Sequence, residues 1–191
     1  MAQIMAYHRK PAASTFVQTN ALKDKNAEII VHLFDRETFE TNRRLWLEQG
    51  LQNYSFDVCL MSYSGPFWAG RVTVKNGVLD GFIPDQQYGH FSESAFSKWP
   101  EFRGPIPDIY DAISALRDQM EDPAWRAEVC RKKGEGVVRH YFSQKVEYNN
   151  TYHYPRYFVH SYSASYDQPV TGNGLVNSIS ISRFVINETE P

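Results

Sequence analysis

The sequence predicts an α+β domain, an antiparallel sheet of two three-stranded units with a leading helix and a central helical segment packed on it. Three observations carry this. Alternating apolar residues around Asn76-Gly77 make a β-meander over 53–83. Ile109, Ile113, Leu116 and Met120 recur at helical spacing in the middle of the chain. A second alternating hairpin, followed by one more strand, occupies the C-terminal third.

At 191 residues the chain has the size of one domain, and its 12 Tyr and 12 Phe supply the rings of a real core. The expected division is a loosely ordered N-terminal segment over 1–33, a single α+β domain over 34–187 and a frayed tail over 188–191. Net charge is -2, with Lys and Arg scattered, so no basic stripe is available for nucleic acid. No apolar run approaches the roughly 20 residues of a transmembrane helix, and the first ten residues lack the apolar segment of an export signal.

In chain order, Ile29 to Phe34 could dock as a short strand at the end of the loose segment. Asp35 is placed as an N-cap, and a helix should run to about Gln49 with Gly50 past its end. Glu40, Arg44 and Glu48 mark its polar side, and Phe39, Trp46, Leu47 and Leu51 its apolar side. In the meander, Tyr54, Phe56, Val58 and Leu60 share one face, as do Val72 and Val74, and Asn76-Gly77 fits a two-residue hairpin loop. The ring-rich stretch between Pro84 and Pro107 reads as a long loop whose rings either pin it to the domain surface or make it a binding lid. Pro107 falls in the first turn of the central helix, whose polar side is given by Asp108, Asp111, Arg117 and Asp118. Asp122-Pro123 opens a shorter helix that carries Cys130.

In the second hairpin Val138, Phe142, Val146 and Tyr148 share parity, as do Phe158, Tyr162 and Ala164. The last strand changes parity between Ile179, Ile181 and Phe184, Ile186, which predicts a β-bulge near Ser182. Cys59 and Cys130 lie 71 positions apart and fit neither a metal spacing nor a redox pair. They are either two buried thiols or a disulfide, the latter contributing about 4 kcal/mol in an oxidising compartment.

Short motifs set the chain beside a known family. They are Trp46, Tyr54-Ser55-Phe56, Cys59, Val72-Thr73-Val74 with Asn76-Gly77-Val78, 107–113, Val146-Glu147-Tyr148, Tyr154-Pro155 and 179–184. In these the chain resembles a family of small exported bacterial proteins and lipoproteins catalogued as a domain of unknown function, over about residues 36–187. The resemblance implies an extracytoplasmic location, in periplasm, envelope or medium, and favours the Cys59–Cys130 pairing. Members often carry a second cysteine two residues after the first, where this chain has Met61.

Chemical motifs are sparse. His140, His153 and His160 fall in one hairpin, but His140 and His160 should sit roughly 10 Å apart along paired strands, too far to share a metal. No GxSxG, HExxH, CxxC or phosphate-loop pattern occurs, so no cofactor, metal or catalytic residue is indicated. Seven of the twelve tyrosines lie between Tyr141 and Tyr166. Tyr141, Tyr157 and the turn residues Tyr152 and Tyr154 fall away from the face assigned to the core; tyrosine suits protein or glycan contact surfaces, and strand propensity alone also accounts for it here. The expectation is a non-catalytic extracytoplasmic domain that binds a protein or envelope component through these four tyrosines. The alternative is a hydrolase with a site assembled under the 84–107 loop.

Overall fold

The Asp35 carboxylate accepts the Thr38 N–H at 2.7 Å and starts α1 (Arg36–Glu48), and Gly50, at φ +62°, takes the left-handed position after it. These features belong to a computed structural model, which describes residues 14–19, 27–62, 68–85, 100–133, 136–166 and 175–187. Phe39 and Trp46, two turns apart, are the buried residues of α1. Leu47, expected beside them, is 55% exposed, because one residue past Trp46 the helix has turned its side chain away from the sheet.

The meander forms as predicted. β3 (Tyr54–Ser62) pairs with β4 (Trp68–Lys75), and β4 with β5 (Val78–Pro84), all antiparallel. Asn76 and Gly77 take φ of 52° and 76°, the two positive values a tight hairpin loop needs. Gly70 is required for a different reason: a Cβ there would lie 2.3 Å from the Phe82 ring, which stands edge-on to Trp68.

The central segment forms α2 (Ile106–Glu121), with Pro107 in its first turn, and α3 (Pro123–Arg131), capped by Asp122 through the Ala124 N–H. Tyr54 Oη accepts the Ile106 N–H at 3.0 Å and joins the start of α2 to β3. Arg117, expected on the polar side of α2, is 5% exposed. Its guanidinium sits 5.0 Å over the Phe34 ring and pairs with Glu121, so its charge is met inside the fold. Of the ring-rich loop, 86–99 lies outside the described residues, and Phe102 is fully buried.

β6 (Val137–Tyr148), β7 (Pro155–Tyr166) and β8 (Leu175–Ile186) complete the sheet. Two further strands precede α1: β1 (Ser14–Thr19) and β2 (Glu28–Leu33). The eight described strands lie in the order β1-β2-β6-β7-β8-β3-β4-β5. The domain is α+β, but its sheet is mixed and single rather than two antiparallel units, because β2 runs parallel to β6 and β8 joins β3. Of the segment 1–33 expected to be loose, 14–19 and 27–33 are described and contribute β1 and β2, and the rest lies outside the described residues. Ile29, Val31 and Leu33 are at most 1% exposed, and the five β2 residues in register with β6 are held by burial rather than by length. The tail 188–191 lies outside the described residues.

All three described α-helices cover one face of the sheet. Beneath α1 and most of α2 lies a cluster containing Trp46, Tyr54, Phe56, Val72, Ile109, Ile113 and Phe158. Beneath the end of α2 and α3 lies a second, containing Ile29, Val31, Met120, Cys130, Phe142 and Tyr162.

Candidate binding face

Side chains alternate across a strand, so burial of Tyr54, Phe56, Val58 and Leu60 under the helices sends Ser55, Asp57, Cys59 and Met61 to the other face. Register carries the same face across the sheet: Arg71 lies opposite Asp57, Ile83 opposite Arg71, Ser178 opposite Met61 and Val159 opposite Ser178. On β6 and β7 it bears Tyr141, Ser143, Tyr157 and Ser161. No described helix packs on this face.

The predicted bulge shapes its centre. Between the Asp57↔Ser182 and Ser55↔Val185 pairs, β8 spends one residue more than β3. The extra residue is Arg183, at φ 46°, and it returns Phe184 to the helix side, where that ring meets Trp46, Tyr54 and Tyr154. Arg183 thereby reaches Asp57 Oδ2 as an ion pair without hydrogen-bond geometry. Asp57 Oδ1 accepts from Arg71 at 2.9 Å, and Arg71 donates to Ser55 Oγ at 2.8 Å. One carboxylate thus stands between two guanidiniums beside a cleft of about 280 Å3 that Cys59, Ile83 and Asp85 also line. Sequence reasoning missed this trio. The bulge and the shared parity of Asp57 and Arg71 were its only signals.

Of the four tyrosines expected at the surface, two are there. Tyr141 and Tyr157 are half-buried on the helix-free face, in register with Ser163 and Ser180. Tyr154 is a correction: it is 5% exposed, its ring 4.9 Å from Phe184, and burial raises its pKa. Tyr152 is another, with its ring 5.1 Å from Phe184 at the margin of the core. The turn that carries them folds back onto the helices. Asn149 Oδ1 accepts from the N–H groups of Thr151 and Tyr152, Gln49 donates to the Tyr152 carbonyl, and Tyr110 donates to that of His153.

The cysteines do not pair. Both thiols are free, and the disulfide reading is corrected by position: Cys59 points to the helix-free face, while Cys130 lies under α3 on the other side of the sheet. Burial raises the pKa of Cys59; a hydrogen bond to Ser180 opposes this and Asp85 adds to it. Burial likewise pushes Cys130 up to about 11. Neither is an activated nucleophile.

The three histidines of the hairpin each meet a different partner. His140 meets Tyr162 Oη at 2.8 Å, His153 meets Asn42 at 3.2 Å and His160 meets Gln144 at 3.0 Å. No group of three or more metal-binding side chains comes together among the described residues. A larger cavity, of about 650 Å3, lies along α2 and is lined by Phe102, Asp108, Asp111, Leu116 and Gln119 among others. Burial and the neighbouring Asp111 raise the pKa of Asp108, but its described lining offers no Ser, Cys or His. No described helix is long and apolar enough to cross a membrane.

The chain matches no family model and no curated protein.

Proposed function

We propose that the chain is a non-catalytic, extracytoplasmic binding domain whose helix-free sheet face docks a protein of the cell envelope. The observation that carries this is where exposed apolar surface collects. Of the eight large apolar side chains most exposed among the described residues, Met61, Val78, Ile83, Val176 and Val185 fall on that face, in register with its polar residues. Tyr141 and Tyr157 add rings with hydroxyls, and the Asp57, Arg71 and Arg183 trio adds oriented charge, the mixture of a protein interface. The extracytoplasmic placing draws on the resemblance to exported proteins. The raised cysteine pKa values speak against either thiol as the nucleophile of the hydrolase reading, whose site would lie under the 84–107 loop, of which 86–99 lies outside the described residues.

Tyr141→Ser with Tyr157→Ser tests the proposal. The double variant should change folding stability by less than about 1 kcal/mol, since both rings are partly solvated. It should lose a discrete cross-linked partner that the unaltered chain captures from envelope extracts through a photoreactive group at Ser163. Equal capture by both chains, or a double variant that does not fold, would return the tyrosines to a structural role.

A further inference from the structure

β5 ends the sheet on the side away from β1, and among the described residues no strand pairs with its outer flank. Such an edge offers a row of main-chain N–H and C=O groups to any strand that can lie beside it. Of the eight most exposed large apolar side chains among the described residues, three sit on this strand: Val78 at 63%, Leu79 at 47% and Ile83 at 67%.

Their faces follow from the register with β4. Ile83 lies opposite Arg71 and Val78 opposite Lys75, on the helix-free face, while Phe82 lies opposite Val72 and Leu79 opposite Val74, on the helix side. Val78 and Ile83 are five positions apart, and in a regular strand they would point to opposite faces. Asp80, an extra residue between the Val74↔Leu79 and Thr73↔Gly81 pairs, brings them to the same one. The bulge thus makes 78–83 symmetric, with an apolar residue for each face at both ends and Asp80-Gly81 at the centre.

A strand with that symmetry is complementary to its own copy run antiparallel. About a two-fold axis through Asp80-Gly81 and normal to the sheet, Val78 faces Ile83 of the second copy and Leu79 faces Phe82, apolar against apolar on both faces. Asp80 then faces Gly81, which has no side chain. Any other register within the strand sets Asp80 against its own copy or against an apolar side chain. The charge at the bulge and the missing N–H of Pro84 blunt the edge toward unrelated strands, and a two-fold contact consumes β5 of both copies, so this edge closes at two chains.

We propose that the chain forms a two-fold dimer by antiparallel pairing of β5 with β5 of a second copy, Val78 against Ile83. The contact is small, so the dimer is reversible, with a dissociation constant of roughly 10 to 100 μM. It sets the two helix-free faces side by side as one surface, and it is independent of the docking proposed above.

Sedimentation velocity of the full chain tests it, from about 1 μM to about 1 mM. The unaltered chain should pass from monomer to dimer, and amide exchange at alternate residues of 78–83 should slow as it does. Val78→Glu with Ile83→Glu sets like charges opposite each other at both ends of the pairing and should weaken the dimer at least about tenfold. Val78→Lys with Ile83→Glu sets opposite charges there and should restore it, although the same two apolar side chains are gone. A chain that stays monomeric at about 1 mM would overturn the proposal, as would a dimer whose β5 amides exchange no more slowly than the monomer's. So would folded variants in which Glu-Glu pairs as tightly as the unaltered chain, or Lys-Glu no more tightly than Glu-Glu. The exchange measurement on the unaltered chain decides alone if either variant fails to fold.

Discussion

Burial holds His160 at a pKa of about 4, against an ordinary value near 6.5, and so ties the fold to pH. The neutral ring meets the Gln144 amide at 3.0 Å inside the sheet–helix layer. Between these two pKa values the unfolded chain binds a proton that the folded chain refuses, so stability is full above about pH 6.5 and falls as the pH drops toward 4. The loss between about pH 7 and about pH 5 should be roughly 2 kcal/mol from this residue. His140, lowered by burial as well, adds in the same direction. Urea midpoints measured across that range should fall, and His160→Gln should at least halve the fall; an unchanged slope in the variant would assign the pH dependence elsewhere. None of this was legible in the sequence. Three histidines in one hairpin could be excluded as a metal site by strand spacing, but which of them is buried depends on where the helices lie.

The bulge in β8 shows what one element can reveal in advance. A change of parity from Ile179 and Ile181 to Phe184 requires an extra residue if both sets are to face the core, and that extra residue is Arg183. Its backbone is left-handed at φ 46°, a conformation that β-branched side chains resist. Its charge is 75% exposed, so the pair with Asp57 contributes little to stability. Arg183→Gly should therefore shift stability by less than about 1 kcal/mol, because relief of backbone strain offsets the weak pair. Arg183→Val should destabilise by about 1 to 3 kcal/mol. Comparable losses in denaturant unfolding of the two variants would mean that charge, not backbone, holds the bulge. Capped helices and the Asn76-Gly77 turn were legible for the same reason, since each is a local demand met by a local residue. The docking of the 149–154 turn was not. Parity says nothing of a turn, and Tyr154 is buried by distant partners, Trp46 and Phe184.

The whole molecule rests on one sheet that runs beneath two apolar clusters, and its most distant dependence is on β2. Here sequence reasoning reached the α+β class but not the sheet, because a parallel partner separated by more than a hundred residues leaves no local period. β6 and β7 pass under both clusters: Phe158 belongs to the one beneath α1, and Phe142, Tyr162 and Ala164 to the one beneath α3. Neighbouring residues of β2 can test whether the clusters stand or fall together. Val31 is fully buried in register with Phe142, while His32 is exposed on the opposite face. Val31→Asp would place a carboxylate in the α3 cluster and should cost more than about 3 kcal/mol, whereas His32→Asp should cost less than about 1 kcal/mol. If the sheet couples the clusters, Val31→Asp should collapse amide dispersion in β3 and β4 together with that of α3, in a single transition. Native β3 and β4 signals persisting beside a melted α3 would instead show two separable units that share a sheet.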